Sequence, residues 1–154
     1  MSTLSLLTDE IDSCEYLFLR EISEPRDNRL RLLIEEAAVT GPPLTRKLPG
    51  LEMTGCREIK STSTSRLFEV TWEVYVAYSI RNESFVSRDE MEMFSGRLFR
   101  TYSKSHFLDY VSKATFASEQ YPGPLQHIGV ICLNHIVDVI STKPPAIDKI
   151  RPSL

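Results

Sequence analysis

From Arg66 to Asn82 the chain alternates apolar and polar residues. Phe68, Val70, Trp72, Val74, Val76, Tyr78 and Ile80 hold one parity, and Glu69, Thr71, Glu73, Tyr75, Ala77, Ser79 and Arg81 hold the other. A period of two sends the first set to one face of a strand and the second to the opposite face, the pattern of a sheet with one side on the core and one in water. An antiparallel sheet is predicted. At about 3.3 Å per residue the run from Phe68 to Asn82 would span about 50 Å, against about 40 Å for a compact domain of this length. With no Gly or Pro inside the run, the strand is expected to coil or bulge and the sheet to curl strongly.

Two further β-type runs, Cys14–Ile22 and Arg29–Ala37, flank Ser23–Asn28, whose Pro25, Asp27 and Asn28 supply turn chemistry; a hairpin is predicted. Val39–Thr54 contains Gly41-Pro42-Pro43 and Pro49-Gly50 and is expected to be a long surface loop before a short strand near Cys56–Lys60. Ser87 and Glu90 have the spacing of a capping box, and Gly96 would suit the end of a short helix. Leu98–Tyr102 reads as a strand leading into a helix from Lys104 to Ala117, where Phe107, Tyr110, Val111 and Ala114 recur at helical spacing. Leu125–Ser141 reads as a second long strand with apolar residues on both parities, so a second layer must cover it, and the preceding helix is available to do so. The expected fold is therefore α+β: a strongly curved, half-barrel-like, mainly antiparallel β-sheet with one main helix packed on it. Residues 1–143 form a single domain, and 144–154, with Pro144, Pro145 and Pro152, an extended tail.

Composition narrows the function. A 154-residue chain that is 42% hydrophobic can bury one core without metal or disulfide staples. The net charge of -3 is spread along the chain, with no basic stripe to profit from counterion release, so no nucleic acid partner is expected. No apolar stretch is long enough for a membrane span. Cys14, Cys56 and Cys132 are odd in number and widely spaced, which reads as reduced thiols and, with an N-terminus unlike a secretory signal, as a cytoplasmic protein.

Candidate chemistry is sparse. The sequence has no GxGxxG, Walker A, GxSxG or HExxH pattern, and it calls for no cofactor, no metal and no catalytic residue. Cys132 lies three residues before His135, and on one strand such side chains point to opposite faces. His127 and His135 on one strand would stand about 26 Å apart, beyond a shared ligand sphere. His127 is expected to be a singly bonded histidine near a rim, and His106 to sit beside Asp109 on the helix surface. Asn134 and Asp138 interrupt the apolar parity of Ile128, Val130, Cys132, Ile136 and Ile140. An unpaired buried carboxylate is costly, so Asp138 is expected at the sheet margin or paired by an arginine or backbone donors; if a pocket exists, Asn134 and Asp138 line it. Tyr75 stands among polar neighbours on the outward parity and, with Glu73, Arg81 and Phe85, is the candidate contact surface for a partner.

The stretches Phe68–Phe85, Gly96–Val111 and Pro122–Ser141, about a third of the chain, resemble a set of small uncharacterised bacterial proteins. That resemblance implies no activity, ligand or catalytic residue. The residues themselves point first to a small soluble, non-enzymatic interaction protein that binds or neutralises a protein partner through a sheet face and adjacent loops. Two alternatives stand beside it: a curved sheet holding a small apolar ligand, and an enzyme whose residues converge only in three dimensions. An open strand edge leaves room for a homodimer.

Overall fold

The computed structural model describes residues 3–87 and 89–151. Its strands pair antiparallel in two five-stranded sheets accompanied by two α-helices, α1 (Thr3–Ser13) and α2 (His106–Ala114). The α+β class and the antiparallel pairing follow the alternation. The single half-barrel does not form: the sheets are two, and they do not close into a barrel.

In the first sheet, β1 (Tyr16–Arg26) and β2 (Arg29–Leu48) make the expected hairpin with a tighter turn, Asp27–Asn28. Asn28 takes φ 62°, a left-handed conformation that asparagine tolerates better than most residues. β4 (Leu67–Trp72) lies on the other side of β2, and its register sets Phe68, Val70 and Trp72 against Ile34, Leu32 and Leu30, all six at most 1% exposed. Each such side chain contributes about 1.5–3 kcal/mol of burial free energy, so this ladder is the backbone of the core. β10 (Ala146–Ile150) pairs with β4 and places Ile147 opposite Val70. The segment expected as a tail from 144 is thus extended, but as a strand of the sheet; residues 152–154 lie outside the described residues.

The long alternating run breaks after Trp72. Residues 73–76 form a corner, Val74 turns out to 64% exposure, and the chain re-enters regular structure as β5 (Ala77–Asn82), now paired with β9 (His135–Ser141) of the second sheet. The corner keeps its backbone satisfied from both sides: Tyr75 N–H donates to Asn28 O at 3.3 Å and Val76 N–H to Ile140 O at 2.8 Å. A run too long for the domain is accommodated by changing sheets instead of by coiling, as strands do at the corners of packed sheets.

The second sheet has the order β5, β9, β8 (Gln126–Ile131), β7 (Phe99–Lys104), β6 (Met93–Ser95). The second long run is a hairpin, β8 and β9, with its turn at residues 132–134. That turn is held onto β1. Leu133 N–H donates to Leu17 O, and the Asn134 side-chain amide both accepts from and donates to the Leu19 backbone at 3.0 Å. No helix forms between Ser87 and Gly96 among the described residues; a single 3-10 turn at Glu83–Phe85 precedes a loop to β6, and Arg88 lies outside the described residues.

One cluster of buried side chains draws on both sheets, with Phe68, Val70 and Trp72 from the first and Val130, Val137 and Val139 from the second, together with Ile11 of α1. α1 is fixed through Asp12, whose Oδ1 accepts from Leu98 N–H and Phe99 N–H at 2.7 and 2.8 Å, while Arg97 returns its guanidinium to the Asp12 and Cys14 carbonyls at the helix end. Gly96 is obligatory there: at φ 87° a Cβ would sit 2.1 Å from Phe99 O. α2 begins at Ser105, whose Oγ accepts from Leu108 N–H at 3.0 Å, and packs on β9, covering the second sheet on the side away from the core.

The stretch expected as a loop, 39–54, is the distal half of β2, the Pro49–Gly50 turn and the start of β3 (Leu51–Lys60). Together they form a two-stranded ribbon largely exposed to solvent.

Candidate functional site

The β8–β9 hairpin brings together what a single strand would have kept apart. Asp138 lies opposite Gly129 on one side and Ser79 of β5 on the other, and His127 lies two pairs further along β8, on the same face. The His127 ring reaches Asp138 across the sheet, Nε2 to Oδ1 at 2.9 Å, with both side chains 1% exposed. Arg81 approaches from the solvent side and donates from Nε and Nη2 to Asp138 Oδ2 at 3.2 and 2.8 Å. On the inner side, Ser105 Oγ lies 2.7 Å from His127 Nδ1.

A carboxylate only accepts, so Nε2 carries a ring proton; in the neutral imidazole Nδ1 is then an acceptor and takes the Ser105 hydroxyl proton, while Ser105 Oγ accepts from Leu108 N–H. The result is an unbroken chain from the α2 N-terminus through Ser105, His127 and Asp138 to Arg81 at the surface. It is also sterically fitted. The Tyr102 ring stacks on His127 at 4.2 Å between centroids, Phe107 meets it edge-on at 5.7 Å, and Gly129 has no side chain because a Cβ would come within 2.8 Å of Tyr102 Cε2.

Asp138 is therefore paired, by an arginine and a histidine. His127 is neither singly bonded nor at a rim, a correction that follows from the hairpin. The residue types are those of a hydrolytic triad, but the disposition differs. Here the carboxylate holds Nε2 and the serine holds Nδ1, and Ser105, 2% exposed, already serves as a helix cap. The arrangement is suited to holding Asp138 and Arg81 fixed at the wall of an open hollow of about 330 Å³.

The other sequence candidates fall elsewhere. Asn134 is spent on Leu19 and does not join Asp138. Tyr75 is half-buried, its hydroxyl donating to Glu24 at 2.7 Å and its ring edge-on to Tyr78, while Glu73 pairs with Arg26 and Arg29. The bond to Glu24 pushes the Tyr75 hydroxyl up to about 12. Phe85 is 86% exposed beyond the end of β5. The four proposed contact residues thus divide, Tyr75 and Glu73 beside the β1–β2 turn, and Arg81 and Phe85 toward the far end of β5. His106 pairs with Asp89 instead of Asp109. Cys132 and His135 meet only through their backbones at the turn, Cys132 N–H to His135 O at 2.9 Å, and burial pushes the Cys132 thiol up to about 12. Among the described residues no group of three His, Cys, Asp or Glu side chains could hold a metal ion, and no helix is long and apolar enough to cross a membrane.

Sequence reasoning missed Ser105 and the role of His127. Ser105 stands directly before the apolar stripe Phe107–Val111, an N-cap signature, and reading Asn134 as a turn residue would have folded His127 back onto Asp138.

The ribbon is the other feature not foreseen. Its register pairs Leu44 with Cys56, Arg46 with Met53 and Leu48 with Leu51, so these six residues share one face; Thr45, Lys47, Glu52 and Thr54 occupy the other. The extra residue in β3 between Met53 and Cys56 is absorbed by a bulge with Gly55 at φ 74°. On the first face Leu44, Leu48, Leu51 and Met53 are 40–55% exposed.

No family model, no curated protein and no solved structure matches the chain.

Proposed function

We propose that this protein is a non-enzymatic binding protein that recognises a protein partner, and that the β2–β3 ribbon is its recognition element. The observation that carries this reading is the uncovered apolar face of the ribbon. A two-stranded ribbon is marginally stable by itself, and an apolar sheet face is ordinarily covered by a second layer; here Leu44, Leu48, Leu51 and Met53 meet solvent. Arg46 in their midst asks for a carboxylate or carbonyl acceptor on the partner. The engagement of Ser105 as a cap supports a non-enzymatic role, and three unpaired cysteines accord with a reducing, cytoplasmic setting.

The test uses the wild-type chain and a Leu48→Ser/Leu51→Ser variant as paired baits. Both leucines are more than half exposed, so the variant should unfold within about 0.5 kcal/mol of the wild type. The expected result is a polypeptide retained by the wild type and lost from the variant, with affinity for the purified variant weakened at least about tenfold. Equal affinity for the two chains overturns the assignment.

A further inference from the structure

The hollow beside Asp138 has a use that does not depend on the ribbon. Arg81 spends Nε and Nη2 on Asp138, which leaves Nη1 without a partner among the described residues on a side chain that is 49% exposed. A guanidinium locked along one edge by a buried carboxylate presents its remaining donors in a fixed direction, the arrangement that suits a carboxylate ligand. The same hollow is lined by Glu92, whose Oε1 accepts from His106 N–H at 3.1 Å and whose Oε2 has no partner among the described residues. Asp89, also on its wall, is already occupied by His106 and by Met91 N–H. A simple anion on Arg81 would face these two carboxylates, and a simple cation on Glu92 would face Arg81. A molecule carrying both charges satisfies both walls.

The space sets the rest of the ligand. A hollow of about 330 Å³ is at the small end of ligand sites, so the charged portion must be compact. A second hollow of about 500 Å³ shares Arg81, Asp89 and Glu92 with the first and continues past Glu90 and Arg100 between Val86, Phe94, Tyr102 and Ile136. Charged groups thus stand where the two spaces meet, and the annex is walled mainly by Val86, Phe94, Tyr102 and Ile136, with the Arg100 guanidinium laid over the Phe94 ring at 4.1 Å and Glu90 also on the lining. We propose that this cleft binds a free α-amino acid with an apolar side chain, its carboxylate on the open edge of Arg81, its ammonium on Glu92 and its side chain in the annex.

Calorimetric titration of the full chain with L-phenylalanine and L-leucine tests this, with 3-phenylpropanoate and 2-phenylethylamine as probes lacking the ammonium and the carboxylate respectively. Saturable binding of at least one amino acid is expected, with both single-charge probes weaker by at least about tenfold. Glu92→Gln, which keeps the acceptor for His106 N–H and should leave the melting temperature unchanged, is expected to weaken binding by about tenfold or more, as is Arg81→Lys. No heat of binding from either amino acid up to about 10 mM overturns the proposal, as does equal binding of the single-charge probes or an unaltered affinity in the folded Glu92→Gln variant.

Discussion

His127 Nε2 and Asp138 Oδ1 lie 2.9 Å apart on neighbouring strands, each side chain 1% exposed. A carboxylate this deep is tolerable because both of its oxygens are hydrogen-bonded, Oδ1 by one imidazole N–H and Oδ2 by two guanidinium N–H groups. Removing the charge leaves Arg81 and His127 facing an amide that can serve only one of them as acceptor. Asp138→Asn is therefore expected to cost about 3 kcal/mol in urea unfolding. A loss below about 1 kcal/mol would show that the pair does not bear on the fold.

Gly129 has ordinary backbone, so its requirement is purely spatial: a Cβ would stand 2.8 Å from Tyr102 Cε2 and 3.4 Å from Asp138 Oδ1. Gly129→Ala is expected to push the Tyr102 ring off His127 at a cost of about 1–3 kcal/mol. The near-ultraviolet circular dichroism of the tyrosines should change with it. Wild-type stability in this variant would contradict the close packing of ring on ring.

The three thiols differ in accessibility. Cys132 and Cys14 are buried, and desolvation, the largest cause in each case, pushes their thiols up to about 12 and about 11. Cys56 lies half-exposed on the ribbon. A thiol reagent at pH 8 is expected to modify Cys56 first in the native protein and all three only after denaturation. Peptide mapping that finds Cys132 modified ahead of Cys56 would refute this.

Arg66 grips Glu36 along one edge of its guanidinium, Nη2 and Nε donating at 2.7 and 2.8 Å, and these hydrogen bonds are the main reason that the Glu36 carboxyl is held below its ordinary value. A carboxyl lowered in the folded state contributes stability above its unfolded value, near 4.5, and loses it as pH falls through the folded value. Glu36→Gln should accordingly be less stable than the wild type at pH 7, by about 1–2 kcal/mol. The two should converge as the wild-type carboxyl protonates in acid. A gap that stays constant with pH would mean that packing, not charge, holds the pair.

What alternation could reveal, it revealed. Phe68, Val70 and Trp72 face inward because period two leaves no other way to bury them, the β1–β2 hairpin is written in Asp27 and Asn28, and α2 in the stripe that buries Val111. The breaks were hidden. A strand that changes sheets at residues 73–76 keeps its period on both sides of the corner, and a turn at residues 132–134 built without Gly or Pro leaves both parities apolar, so neither interrupts the local pattern. The 39–54 ribbon was obscured in the opposite sense, because its glycines and prolines look like a loop when read without the strand that pairs beside them.

The site shares that division. The sequence by itself marked Asp138 as a polar residue on an apolar parity that must be paired or exposed, since the cost of burying a lone charge does not depend on the fold. Which groups pair it was decided by tertiary structure. Folding residues 126–141 back on themselves set His127 diagonally across from Asp138, and the sheet change after Trp72 carried Arg81 to the neighbouring strand. Hydrogen bonds between strands depend on register across the sheet, and register is fixed by what each strand lies against, not by the residues that adjoin it in the chain.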